Sequence, residues 1–466
     1  MRWGSRDASH ARTGSDAIGR ALGRRPRAAR VVALAALLFT LWPGGAPAPA
    51  LAVGSAMVEE EWVGDRDGEP SDEDLIATAA GPAAAEGPAP AATPGSELGA
   101  VPDASEAVAP APDLDAAEPI EMLERTVAPG TRARLQLRTS ESFSGTMVVT
   151  PVFVVHGSRK GPRVCVIGGI HGDEVNGVEV VRRMLKLLDP VSMRGTIVGV
   201  PIANLTAFRR GSRYLPDRRD LNRYFPGRPT GSSASRIAHG LFTNVVRGCE
   251  AVIDIHTGSF HRSNLPQLRS NLADPGTVVL SIAFGARTVV NNAGRLGTLR
   301  RAATDAGIPA ITMEAGEPAR FQEEDVAEGL DGLFRLFRSL GMIETGDEVP
   351  PPRPSPVMAF LKTRWVRCDQ GGILVSRVKL GEPVVAGQAL GTISDPLSEE
   401  EETVVSPISG TVLGMAMDQV VMPGFAAYHI GYEERPLVPN LASETAAPET
   451  MVPSDPEGLD LEERPE

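Results

Sequence analysis

The sequence predicts an α/β protein, in which a sheet is covered by helices on both faces, followed by a small β-rich barrel or sandwich. Between residues 147 and 345, short β-branched runs alternate with stretches that place apolar residues at helical spacing. The strand-like runs are apolar throughout rather than at every second position, as in strands buried on both sides. Beyond residue 350 the helical period gives way to short strand-like runs punctuated by Gly and Pro.

The N-terminal residues stand outside that pattern. The chain has 466 residues and a formal charge of −13, with the charge concentrated at its ends. Residues 1–52 carry eight Arg against Asp7 and Asp16, and include the apolar run Val31 to Trp42, preceded by Arg24-Arg25-Pro26-Arg27 and followed by Ala50-Leu51-Ala52. That run is too short for a helix across a bilayer core of about 30 Å. It suits an export signal with a small-x-small cleavage site, so residues 1–52 are expected to be removed after Ala52, leaving an exported protein with no stable membrane span. The alternative is an uncleaved signal anchor. The Arg24-Arg25 pair hints at the twin-arginine route without its usual flanking residues, and no Cys follows the run to take a lipid. Residues 53–120 carry sixteen acids against Arg66 and few large apolar side chains, which predicts a disordered, self-repelling spacer. Residues 433–466, with ten acids against Arg435 and Arg464, read as a disordered acidic tail. The remaining stretch, residues 121–432, is nearly neutral, and its small basic surplus argues against a nucleic-acid partner. Cys165, Cys249 and Cys368 show no CxxC spacing and form no disulfide framework, so they are expected as small buried side chains.

Strands are predicted at residues 147–155, 164–167, 196–200, 251–255 and 310–313, and helices at 174–188, 233–246, 294–306 and 324–340. In open α/β sheets ligands collect beyond the carboxyl ends of the strands, which directs attention to the residues just after each one. After the second strand comes Gly168-Gly169-Ile170-His171-Gly172-Asp173-Glu174. The paired glycines permit a sharp turn, and an imidazole three residues before a carboxylate can close both onto one ion. Asp254-Ile255-His256-Thr257-Gly258 brings a second histidine to another strand exit. Two His and one Glu leave a coordination position open, the composition of a catalytic zinc site. A third exit presents Glu314-Ala315-Gly316, where a carboxylate suits the transfer of a proton from a metal-activated water to a leaving amine. A salt-bridged surface Glu is the alternative there. The loop after the third strand holds Asn204, Arg213, Tyr214, Asp220, Asn222 and Arg223. One guanidinium near the metal would stabilise an oxyanion, and another with an amide beside it would grip a substrate carboxylate.

Taken in order, GGIHGDE, RDLNRYFPG, DIHTG and ITMEAG resemble the succinylglutamate desuccinylase/aspartoacylase family of the zinc carboxypeptidase clan. The resemblance covers residues 120–432. It implies a mixed sheet flanked by helices, and one zinc ion held by His171, Glu174 and His256. Glu314 would be the general base and acid, Arg213 would polarise the scissile carbonyl, and Asn222 and Arg223 would bind the substrate carboxylate. Asp220 would orient His171. Arg209, Arg210, Arg218 and Arg219 remain alternatives to Arg213, because the Arg-Tyr pair stands further ahead of the Asn-Arg pair than the family pattern has it.

The hydrolase domain is thus expected over residues 121–345, and a β-barrel-like domain over 346–432, after the Pro-rich segment at 350–354. Its phrases VKLGEPVVAGQALGTI and VVSPISGTV resemble the biotinyl/lipoyl carrier fold. The expected hairpin tip, residues 395–402, is acidic and lacks the lysine a carrier needs, which argues against an attached cofactor. Tyr428 is either a substrate contact or a buried tyrosine of the barrel. The leading expectation is a zinc amidohydrolase acting on an amide next to a carboxylate, as in small N-acyl amino acids. An exported metallocarboxypeptidase on short or cell-wall peptides is the close rival, and a non-catalytic binding protein with a degenerate hydrolase fold is the second alternative.

Overall fold

A computed structural model describes residues 113–141, 147–344, 357–417 and 419–437. The expected export signal, most of the expected spacer, the Pro-rich segment and the tail beyond Leu437 lie outside the described residues. From Asp115 on, the described residues belong to one compact unit. Two boundaries differ by a few residues from expectation. Asp115 accepts hydrogen bonds from Arg194 Nη1 and Nη2 at 2.5 and 2.6 Å, which ties the end of the acidic stretch to the fold. At the other end the last strand runs to Pro436.

The strands are β1 (Ile120–Met122), β2 (Arg125–Val127), β3 (Thr131–Glu141), β4 (Met147–His156), β5 (Arg159–Gly168), β6 (Arg194–Val200), β7 (Ala251–His256), β8 (Arg262–Ser270), β9 (Thr288–Asn291) and β10 (Ala310–Gly316). The helices among them are α1 (Val175–Leu187), α2 (Leu205–Phe208), α3 (Ser233–Asn244), α4 (Pro275–Phe284), α5 (Leu299–Asp305) and α6 (Glu323–Ser339). Then follow β11 (Met358–Arg367), β12 (Gly372–Ser376), β13 (Pro383–Val384), β14 (Ala389–Ser394), β15 (Glu401–Val405), β16 (Gly410–Ala416), β17 (Gln419–Val421) and β18 (Ala426–Pro436).

A twelve-stranded sheet runs β13-β16-β18-β11-β9-β8-β10-β7-β5-β6-β4-β3. Its centre, β10-β7-β5-β6, is parallel, and antiparallel strands flank it on both sides, so the fold is mixed α/β. Alternate residues of the central strands feed two cores. Val164, Val166, Ile253, Ile255, Ile311 and Met313 pack in one core with side chains of α1, α4 and α6. Cys165, Ile167, Val252 and Ala310 pack in the other with α3 and α5. Each fully buried aliphatic side chain in these layers contributes roughly 1.5–3 kcal/mol relative to leaving it in water.

Three elements escaped the sequence reading for identifiable reasons. Helix α4 is apolar and buried on nearly every side, so it lacks a helical period, although Asp274 caps it and Pro275 opens it. Helix α5 begins at Leu299 because Gly294 and Gly297 take left-handed φ of 86° and 89° ahead of the Thr298 cap. Strand β8 alternates too irregularly to be seen.

The cysteine expectation is corrected. Cys165 on β5 and Cys249, just ahead of β7, form a disulfide across 84 residues, and only Cys368 is a free thiol. The parallel pairing of Val164 with Ala251 brings the two together, and no local spacing announces that register.

The C-terminal strands also reach across the expected boundary at 345. Met358–Phe360 of β11 pair in parallel with β9, and β16 pairs with both β18 and β8. A separate sheet, β15-β14-β12-β17, closes over this extension around a core of Leu374, Leu390, Val412, Ile430 and Tyr428. Tyr428 is fully buried and its hydroxyl donates to the Leu390 carbonyl at 3.1 Å, which makes it a packing residue.

Candidate active site and metal centre

The strand exits do meet at one edge of the sheet. Gly168 and Gly169 turn the chain out of β5, and a Cβ at Gly168 would sit 2.7 Å from the Gly177 carbonyl oxygen, so the turn has no space for a side chain. His171 and Glu174 follow, His256 ends β7, and Glu314 on β10 is the direct register partner of His256. His171, Glu174 and His256 are almost completely buried, and they present ligand atoms within 4.8 Å of one another, the only such cluster among the described residues.

The polar contacts assign the ring nitrogens. His171 Nε2 lies 3.0 Å from Asp220 Oδ1, and His256 Nε2 lies 2.8 Å from Asp254 Oδ2. Each carboxylate holds Nε2 as the N–H donor and leaves Nδ1 with a lone pair. Arg213 Nη1, which can only donate, points at His171 Nδ1 from 3.1 Å, in keeping with that tautomer. The two bare Nδ1 atoms stand 3.2 Å apart, at 2.7 and 2.8 Å from Glu174 Oε1 and Oε2. Lone pairs directed at a carboxylate repel, and a divalent cation among them turns that repulsion into coordination. The donor set therefore fits a metal ion with N/O ligands, zinc among them.

The electrostatics agree. Burial disfavours charge on His256, but Asp254 and Glu174 outweigh it and hold the imidazole pKa well above its ordinary value. For His171, burial and Arg213 oppose the proton, and Glu174 with Asp220 overcome them. Burial likewise works against ionised Glu174 and Asp220, yet the facing imidazoles, and Arg213 at Asp220, keep both carboxyls well below the usual carboxylate range. The pocket thus attracts positive charge.

The other expected residues fall around this cluster. Arg213 bridges Glu174 Oε1 and Asp220 Oδ2, each at 3.1 Å, with its guanidinium 5.4 Å from the Phe260 ring centre. Arg209, Arg210 and Arg218 are exposed and Arg219 pairs with Asp217, so of the five candidates Arg213 is the one drawn into the cluster. Asp220 caps the turn Leu221–Arg223 by accepting from the Asn222 amide. Asn222 Oδ1 in turn accepts from the Leu299 amide at the start of α5. Arg223 remains partly exposed, 3.4 Å from Asp220. Glu314 takes a hydrogen bond from Asn264 Nδ2 at 2.9 Å on one oxygen, and Arg269 Nε lies 3.3 Å from the other.

Sequence reasoning missed Asp254, Asn264 and Arg269. Asp254 had a signal, since two residues apart on a strand share a face and Asp254 precedes His256 by two. Asn264 and Arg269 had none, because they depend on the antiparallel register of β8 against β10.

The sequence profile of the succinylglutamate desuccinylase/aspartoacylase catalytic domain matches residues 160–340. Those residues belong to the succinylglutamate desuccinylase/aspartoacylase family. Every site residue expected from the sequence lies inside the match, whereas β11 to β18 lie beyond it. Among curated proteins, the chain is similar to the N-alpha-acetyl-L-2,4-diaminobutyric acid deacetylase of Halomonas elongata, with 26% identity over 271 residues, covering 56% of this chain and 78% of that protein. Among solved structures, it resembles a succinylglutamate desuccinylase/aspartoacylase from Rhodobacter sphaeroides at 25% identity, covering 66% of this chain and 95% of that one with a TM-score of 0.58. It shares its fold with the ectoine utilization protein EutE (DoeB) of Ruegeria pomeroyi at 21% identity, 67% and 98% coverage and a TM-score of 0.59.

Proposed function

We propose that the protein is a zinc-dependent amidohydrolase that removes the acyl group from a small N-acyl amino acid. The observation that carries this reading is the convergence of two bare imidazole nitrogens and the Glu174 carboxylate beside Glu314. The family match and the deacetylase relative support the reaction class.

His171, Glu174 and His256 would hold the ion, which when bound polarises the scissile carbonyl and lowers the pKa of water toward neutrality. The protein's own groups do the rest. Asp220 and Asp254 keep both imidazoles in the ligating tautomer. Glu314 accepts a proton from the attacking water and returns it to the amine as the C–N bond breaks, so acid and base are one residue. Arg213 turns its N–H groups to the carbonyl oxygen as charge builds there. Asn222 and Arg223 grip the substrate carboxylate from the turn that Asp220 caps.

We also propose that the reaction takes place outside the cytoplasm. A fully buried disulfide is characteristic of oxidising compartments, in line with the expected export signal.

Glu314→Gln separates binding from chemistry. Zinc content by mass spectrometry should match the wild type while kcat falls by about 10²–10⁴-fold, the usual worth of a general base. Unchanged turnover would remove Glu314 from the mechanism, and absence of tightly held zinc in the wild type would remove the reading itself.

A further inference from the structure

Beyond Glu314 the pocket wall carries cations that the chemistry above does not use. The sheet places β7, β10 and β8 side by side, so past His256 and Glu314 come Asn264, Arg269 and Arg262 of β8. The row continues into the C-terminal strands, with Gly316, Asn264, Gly414, His429 and Trp365 as successive register partners. This flank lies across the His-Glu-His cluster from the Asn222–Arg223 turn, which approaches from the His171 side through Asp220.

Arg262 places its guanidinium carbon 4.9 Å from the Trp365 ring centre, and Trp365 stacks on His429 at 4.4 Å with 13° between planes. Gly414 makes that layering possible, because a Cβ there would stand 2.6 Å from the His429 Cβ. Arg262 Nε donates to the Ser259 carbonyl at 3.1 Å, and Arg262 has no ion pair among the described residues. Arg269 Nε is buried without a hydrogen bond and has only the 3.3 Å contact with Glu314. Arg300, buried deeper, spends its N–H groups on neutral acceptors, Thr312 Oγ1 and the Asn292 oxygens, and adds a third positive charge. Their mutual repulsion registers. Burial first, then Arg213, Arg269 and Arg367, pull the Arg262 pKa down to about 10. Burial with Arg269 and Arg262 brings His429 down to about 3, so it is neutral at physiological pH. Sheltered guanidinium groups without full compensation destabilise a fold, and they are found where an anion arrives to meet them.

We infer that Arg262 and Arg269 form a second anion subsite, which takes a carboxylate at the far end of the acyl group, with Trp365 and His429 as its floor. The inference rests on the deacylase reading and deepens it. The preferred substrate is an N-acyl amino acid whose acyl arm is itself a half-amidated dicarboxylic acid.

The test uses the zinc-loaded full chain and N-butanoyl and N-succinyl derivatives of aspartate, glutamate and 2,4-diaminobutyrate, whose acyl arms have equal carbon number. The succinyl arm should be favoured in kcat/KM at least about tenfold, with R262Q and R269Q each lowering that preference about 10- to 100-fold, the worth of a charge-assisted hydrogen bond. The ratio is read rather than the absolute rate, because Arg269 also touches Glu314. R262K should retain part of the preference and butanoyl turnover reports folding. Where a variant does not fold, competition in the wild type replaces it, with succinate expected to inhibit more strongly than butanoate. Equal turnover of both arms, a ratio unmoved by either variant, or equal inhibition by the two acids overturns the subsite while leaving the hydrolase reading intact. Hydrolysis of neither arm from any of the three amino acids overturns that reading and the subsite with it.

Discussion

Replacing both Cys165 and Cys249 by Ala removes a cross-link whose contribution follows from its place in the chain. The bridge closes a loop of 84 residues, and loop-closure entropy for that length stabilises the folded state by about 4.6 kcal/mol at 25 °C. Both side chains are fully buried, so the lost sulfur atoms add a packing loss of about 1 kcal/mol. Against the roughly 5–15 kcal/mol that hold a domain folded, this is a large fraction. Either single variant already breaks the bridge, so each should cost about as much as the double, a departure from additivity that independent contacts do not show. Urea unfolding of the full chain measures the loss. The m-value should rise as well, because the denatured chain without its cross-link exposes more surface. A thiol titration of the urea-denatured wild type should find one reactive thiol before reduction, that of Cys368, and three after it. Three thiols before reduction, or a double variant within about 1 kcal/mol of the wild type, would refute the assignment.

Asp254→Asn lets an amide N–H face His256 Nε2 and favours the wrong tautomer, so zinc affinity in a chelator competition should fall about 10–100-fold; equal affinity would show that Asp254 does not orient the ligand. Gly297→Ala introduces a Cβ at φ +89° that runs into the Arg223 backbone carbonyl, costing about 1–3 kcal/mol of stability and raising KM more than it lowers kcat, which melting curves and steady-state kinetics check. Burial, with Glu324, Glu317 and Glu328 nearby, pushes Asp325 from 3.8 to about 6. A carboxyl whose pKa is raised on folding binds its proton more tightly in the native state, so its destabilising effect is absent below pH 4 and complete above pH 6. Asp325→Asn should therefore stabilise the protein by about 1 kcal/mol at pH 7, discounting the partly exposed site, and by nothing at pH 3.5 in matched urea titrations; a gain equal at both values would point to a cause other than ionisation.

The catalytic constellation was legible because of a topological rule. In a parallel sheet every strand delivers its C-terminal residue to the same edge, so His171, His256 and Glu314 could be grouped from three strand exits without knowing which strands are neighbours. The tautomer-setting role of Asp220 could be read only through the family resemblance, while its equivalent, Asp254, was overlooked although strand periodicity alone puts it on the His256 face. The choice of Arg213 among five arginines needed the loop to be folded, since exposure and the Asp217 pairing of Arg219 decide it.

Local patterning thus determined which segments are strand or helix, the buried two-sided character of the sheet and the metal-ligating types at its exits, because each depends on residues within one or two turns of one another. Strand neighbours and registers were decided only by the tertiary structure. These placed Cys165 against Cys249, carried β11 to β18 onto the hydrolase sheet, and set Arg262 and Arg269 beside Glu314. Such pairings join side chains tens to hundreds of residues apart, and their energy comes from shared burial and hydrogen bonding across the sheet, which leaves no periodic mark along the chain.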